Sequence, residues 1–246
     1  MFALNKKRTL VFDLGNTTCH FGLFEGGRLV KDWRIETKKI FSLKKLVLPA
    51  ASLAIGCSVV PSLDKKLKKI IRPAPIFVNH KNIPQIKIAT DHPAEVGTDR
   101  IINALAVYKK YKKDTIIIDL GTAITIDIVS RRGEYLGGII FPGFNLCRAA
   151  LAQGTAKLPL VELKKPKNLI GKNTADCIRS GIYYGITLMI NSLVKKIKNI
   201  YKKDFLVVAT GGNLELLAPE ISYINVKNKF LTLEGLLEVI KIKQLH

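Results

Sequence analysis

The chain has 246 residues, 40 Lys and Arg against 19 Asp and Glu, and a formal net charge of +21. Apolar residues make up 48% and charged residues 24%, the balance of a packed globular protein, which excludes a disordered tail, a collagen-like repeat or a rod. The length suits two domains of about 100–150 residues.

The positive charge raises nucleic acid or an anionic surface as a partner. The basic residues are spread in short runs, however, from Lys6–Arg8 to Lys195–Lys198, several of them at positions expected on the outer face of a helix. Seven Tyr and one Trp accompany them without basic–aromatic interleaving, which argues against a nucleic-acid partner. The uncharged stretch from Leu46 to Leu63 is broken by Pro49, Gly56 and Pro61, and reads as a buried strand rather than a membrane span. Lys6, Lys7 and Arg8 are followed by too short an apolar run for a signal peptide, so a cytoplasmic protein is expected. Cys19, Cys57, Cys147 and Cys177 are scattered, without metal or redox spacing, and read as small buried apolar residues.

In chain order, Thr9 to Asp13, His20 to Phe24 and Arg28 to Arg34 predict three strands joined by short Gly-containing turns. A strand near Leu53 to Val60, a helix over Leu63 to Ile71 and a short strand at Ile76 to Val78 follow. Apolar residues recurring at helical spacing predict a helix from Thr98 to about Tyr111, with Asp99 at its positive end. Thr115 to Asp119, Ile124 to Val129 and Tyr135 to Ile140 then repeat the opening three-strand plan. A helix from about Ala175 to Ile200, a strand from Phe205 to Thr210 and a closing helix from about Thr232 complete the chain.

Asp13-Leu14-Gly15-Asn16-Thr17 returns as Asp119-Leu120-Gly121-Thr122-Ala123, 106 residues later. That repeat predicts two similar lobes, residues 1–114 and 115–246. A strand-end Asp can hold a cation, while the Gly beside it lets backbone N–H groups approach a phosphate. Two such turns predict a polyphosphate held in an interlobe nucleotide cleft, with Gly211-Gly212 allowing close approach of a flat base. The expected class is α/β, with two lobes of ribonuclease-H-like, actin-like ATPase topology.

The chain resembles the type III pantothenate kinases. The likeness runs through D-L-G-N-T at 13–17, E-V-G-T-D-R at 95–100, D-L-G-T-A-I-T-I-D at 119–127 and G-G-I-I-F-P-G at 137–143. It continues through T-A-K-L-P at 155–159, G-K-N-T at 171–174 and T-G-G at 210–212. The resemblance implies ATP-dependent phosphorylation of pantothenate, with Mg²⁺, a monovalent cation (K⁺ or NH₄⁺) and a homodimer. It implies ATP contacts from Asp13, Leu14, Gly15, Asn16, Thr17, Thr18, Cys19, His20, Thr122, Gly211 and Gly212. Asp13 would hold Mg²⁺ and Asp119 the K⁺. Asp99 would be the catalytic base, and Thr90, Gly97, Thr98, Asp99, Arg100 and Thr174 would bind pantothenate. Thr90 stands where the family has an aromatic contact. The alternative reading of Asp99 and of Thr174 is a plain helix N-cap. The rival function is a non-catalytic nucleotide-binding regulator on the same fold.

Overall fold

The structure, a computed structural model, describes residues 8–43, 46–80 and 83–243. Lys6 and Lys7, in the expected basic start, lie outside the described residues. The chain divides into two compact units. Unit 1 holds the residues up to Tyr111, Gly133–Tyr135 and the stretch from Leu231; unit 2 holds Lys112–Arg132 and Leu136–Phe230.

Unit 1 begins with β1 (Arg8–Leu14), β2 (Thr18–Glu25), β3 (Arg28–Glu36) and α1 (Thr37–Ser42). It continues with β4 (Leu53–Ser58), α2 (Pro61–Ile70), β5 (Ile76–Phe77), β6 (Lys87–Ile88) and α3 (Thr98–Tyr111). The first five strands form one sheet in the order β3-β2-β1-β4-β5. β1 pairs antiparallel with β2 and parallel with β4. The turn from β2 to β3 carries Gly26 at φ 57° and Gly27 at φ 83°, the left-handed pair that a two-residue hairpin requires. Alternation along the strands separates two faces. Leu10, Phe12, Leu14, Ala54 and Phe21 pack with Ile40, Leu63 and Leu67 on one of them. Val11 and Asp13 lie on the other.

Unit 2 contains β7 (Thr115–Leu120), β8 (Ala123–Val129), most of β9 (Glu134–Pro142), α4 (Phe144–Gly154) and α5 (Thr174–Tyr201). It ends with β10 (Leu206–Thr210), α6 (Leu214–Leu217) and β11 (Val226–Lys227); α7 (Leu231–Lys243) closes the chain. The second sheet runs β11-β10-β7-β8-β9-β6, so β9-β8-β7-β10-β11 repeats the order of the first. β6 pairs with Glu134 and Tyr135, the first residues of β9, which belong to unit 1. Ile116, Ile118, Leu120, Ile124 and Ile126 form a buried face with Ile178, Ile182, Ile186, Ile190 and Val194 of α5. That leaves Ile117 and Asp119 on the opposite face.

The units differ from the expected division in three places: the first break follows Tyr111, and Gly133–Tyr135 and the stretch from Leu231 belong to unit 1. The closing helix α7, expected with residues 115–246, belongs to unit 1, where it packs on α3 and β1. Leu233, Leu236 and Val239 are fully buried there. A Cβ at Gly235 would lie 2.5 Å from the Ile102 carbonyl oxygen, so glycine sets how closely the two helices meet. Burying each leucine is worth about 2 kcal/mol, whereas the exposed Lys110–Glu234 ion pair contributes about 1 kcal/mol or less, so apolar burial decides where α7 docks.

Candidate active site

In unit 1 the strand register builds a row of polar residues across four strands. Arg34 on β3 pairs with His20 on β2, His20 with Asp13 on β1, and Asp13 with Cys57 on β4. The Cys57 thiol donates to Asp13 Oδ1 at 3.2 Å. Arg34 Nη2 lies 3.5 Å from His20 Nδ1, and His20 Nε2 lies 3.1 Å from Asp32 Oδ2. Because arginine can only donate, Nδ1 accepts and Nε2–H faces Asp32. The His20 ring is thus committed to its own sheet and 9% exposed.

Asp13 shares its sheet face with Val11, the side on which α3 lies, and this brings Asp99 at the start of α3 within electrostatic range. Burial first, and the Asp99 charge second, push the Asp13 carboxyl up to about 6; the Cys57 thiol and Arg34 oppose that rise. Burial, and then the Asp13 charge, hold the Cys57 and Cys19 thiols well above the usual range. Neither is a nucleophile.

The first turn is closed by Gly15 N–H donating to Thr18 O at 3.0 Å, and Thr37 Oγ1 ties it down by donating to Gly15 O at 2.7 Å. Asn16 and Thr17 are exposed and Thr18 is half-buried. Leu14 and Cys19 are 0% exposed, with side chains in the core, so only their backbone faces the turn. They and His20 shape the turn through the backbone and the sheet.

Asp99 Oδ1 accepts from Arg100 N–H at 2.9 Å. A Cβ at Gly97 would stand 2.5 Å from the same oxygen, so glycine is what allows the carboxylate to fold back over the start of α3. The Arg100 guanidinium lies over the buried Tyr135 ring, 5.6 Å from its centre, a cation–π contact. Thr90 Oγ1 is buried without a hydrogen-bond partner among the described residues. Thr98 is the first residue of α3.

In unit 2, Asp119 is the penultimate residue of β7, with Leu120 ending the strand and Gly121 and Thr122 forming the turn. Gly143 N–H donates to Thr122 O at 3.0 Å, and Asn213 donates through its backbone to Leu120 O at 2.9 Å and through Nδ2 to Gly121 O at 3.3 Å. Gly211, at φ 102°, presses so close that a Cβ would be 2.5 Å from Asp119 Oδ1 and 2.6 Å from Leu120 backbone atoms. The second turn therefore brings together Asp119, Thr122 and Gly211, with Gly212 exposed beside them. Gly143 and Asn213 join them unexpectedly; the G-G-N run was the visible signal for Asn213.

Thr174 is exposed at the first position of α5 and is not the cap. The cap is Asn173, whose Oδ1 accepts from Asp176 N–H at 2.9 Å. The expectation of four buried thiols also needs correction: Cys19 and Cys57 are buried, Cys147 is half-buried and Cys177 is exposed. The Cys177 side chain sits on the open face of α5, donating to Gly171 O at 3.3 Å.

The divalent cation can be tested on this donor set. Among the described residues no group of three or more His, Cys, Asp or Glu could hold a metal. Asp13 offers hard carboxylate oxygens in a position where a cation would relieve its repulsion with Asp99. That fits Mg²⁺, which commonly uses one or two carboxylates together with substrate phosphates. No described helix is long and apolar enough to cross a membrane.

Two repeated sheets, each with a D-x-G turn at the end of its central strand, define a protein of the actin-like ATPase fold. The C. jejuni crystal structure described as a Baf family transcriptional activator superposes with TM-score 0.64 at 23% identity, covering 96% of this chain and all of that one. The chain belongs to the type III pantothenate kinase family, whose model matches residues 9–196. It is 40% identical to the type III pantothenate kinase of Geobacter sulfurreducens over 244 residues, 92% of this chain and 96% of that one. It is also 40% identical to that of Desulforapulum autotrophicum over 246 residues, 92% and 94% of the two chains.

Proposed function

We infer that the protein transfers the γ-phosphoryl group of ATP to the hydroxyl of pantothenate, giving 4′-phosphopantothenate, the first step of coenzyme A biosynthesis. The observation that carries this reading is Asp99, folded over the start of α3 within electrostatic range of Asp13, in a chain of this kinase family. Phosphoryl transfer passes through a loose transition state, so a carboxylate need only orient the alcohol and take its proton late. Asp99 fills that role without a strongly basic pKa.

Asp13 would hold Mg²⁺, which when bound neutralises charge on the transferring phosphoryl group. The backbone of Asn16, Thr17 and Thr18 offers N–H donors to phosphate oxygens, and Gly15, whose own N–H closes the turn on Thr18 O, leaves room for their close approach. Arg100, lying over the Tyr135 ring, is suited to the pantothenate carboxylate, and Gly97 and Thr98 shape the start of its helix. The unsatisfied Thr90 hydroxyl supports a substrate contact there, in place of the family's aromatic residue. Thr174, exposed at the start of α5, takes a further substrate contact. Thr122 provides a second phosphate contact, and Gly211 and Gly212 let the adenosine approach. Asp119 would hold K⁺ or NH₄⁺.

The homodimer is supported by an open face of α5, where Cys177, Gly181 and Gly185 recur every fourth residue beside the exposed Leu169, Ile170 and Leu188. Four free cysteines suit the cytoplasm. The deciding experiment is a coupled ADP-release assay with and without pantothenate and K⁺, with mass spectrometry of the product. ATP binding without pantothenate-dependent ADP release would instead support a non-catalytic regulator. Phosphorylation of sugars or acetate but not pantothenate would overturn the substrate assignment.

A further inference from the structure

Unit 1 contains a second cavity, of ≈540 Å³, lined by the β2–β3 hairpin, the last turn of α3 and one stripe of α7. Its volume lies in the range of small-molecule sites, about 300–1,000 Å³. Glu234, Leu237, Glu238 and Lys241 line it at i, i+3, i+4 and i+7, the spacing of a single helix face. Its apolar lining includes Phe24, Ala106 and Leu237, which are 3%, 4% and 6% exposed. The alanine supplies depth, and Gly27 opens one lip, because a Cβ there would meet nothing within 4 Å.

The charges around this cavity are unequal. Lys110 pairs with Glu234 at 3.0 Å and Lys241 with Glu238 at 2.6 Å, which neutralises both glutamates. Arg28 and Lys109 also line the cavity, and neither has a carboxylate partner among the described residues. An apolar lining below two uncompensated cations matches a ligand with an apolar body and an anionic head. The two phosphate turns and Asp99 contribute no residue to it.

We propose that this groove is a second ligand site, separate from the ATP and pantothenate sites, for a small amphipathic anion such as a medium-chain carboxylate or an aryl sulfonate. The proposal does not depend on the kinase reading. Trp33, the single tryptophan, lies on β3 in the same unit, stacked on Phe21 with ring centres 5.4 Å apart, and serves as an energy-transfer donor.

The test titrates 8-anilinonaphthalene-1-sulfonate into the full chain with Trp33 excited, reading sensitised dye emission. One saturable site is expected, displaced by decanoate and not by saturating Mg²⁺·ATP. The double variant R28E/K109E should weaken binding about tenfold or more by reversing both cations. A106F should weaken it comparably by filling the groove. Circular dichroism melts confirm that each variant is folded, and ADP release should be unchanged. Absence of saturation, binding unaffected in folded R28E/K109E, or displacement by ATP would each overturn the site.

Discussion

Asp13 lies in a position that costs stability, and replacing it by Asn should recover that cost while abolishing catalysis. Its carboxyl is raised from 3.8 to about 6, mainly by burial and then by Asp99. A carboxyl whose folded pKa is raised holds its proton more tightly in the native state. Its contribution is therefore neutral below the unfolded pKa and turns unfavourable as pH climbs from about 4 to about 6. The full difference corresponds to a ceiling of about 3 kcal/mol. Linkage gives about 0.6 kcal/mol at pH 4 and about 3 kcal/mol at pH 8, constant above. Asn keeps the shape and an Oδ1 that can accept from the Cys57 thiol, so D13N should leave packing intact. Urea unfolding of both proteins in EDTA, at pH 4 and pH 8, measures the difference directly. D13N should be the more stable protein at pH 8, with a margin that shrinks toward pH 4. An equal margin at both pH values, or a wild type that stays ahead at pH 8, would refute the electrostatic account of this site. D99N should recover part of the same cost, so D13N and D99N should add to less than their sum.

In single-turnover assays Asp99→Asn should lower the rate of phosphoryl transfer about 10²-fold or more while ATP binding by calorimetry survives; near-normal turnover would make Asp99 a helix-start residue only. Activity should require K⁺ or NH₄⁺ and be poorly supported by Na⁺, and Asp119→Ala should weaken ATP binding and abolish the K⁺ response together. Equal rates in sodium and potassium buffers would remove the monovalent cation from Asp119. Gly211→Ala combines a φ of 102° with a Cβ 2.5 Å from Asp119 Oδ1, and should cost about 1–3 kcal/mol in urea unfolding along with the K⁺ response. Wild-type stability and K⁺ response in that variant would show that the turn can relax.

Much of this molecule is written locally. The three-strand openings, the helices starting at Thr98 and Thr174, and the paired D-L-G turns were legible because periodicity and turn chemistry act over a few residues. Short elements with little periodicity, such as α1, α4, β6 and β11, left no comparable signal. The candidate site was half legible for the same reason. Its turns and the G-T-D-R run are contiguous, and their residues could be named from the chain alone. What surrounds them could not. Cys57 meets Asp13 because β1 and β4 pair in parallel across 44 residues, and that register is set by which faces are buried. Arg34, His20 and Asp13 form a row only once three strands align, and Tyr135 lies under Arg100 only because β6 and the start of β9 belong with unit 1. Likewise α7, the last element made, returns to the first unit because its leucines find an uncovered sheet face there. The residue types of the site came from the sequence itself. The charge on Asp13, the commitment of His20 and the placement of Arg100 over Tyr135 were decided by long-range packing, which desolvates or pairs groups that the chain order keeps far apart.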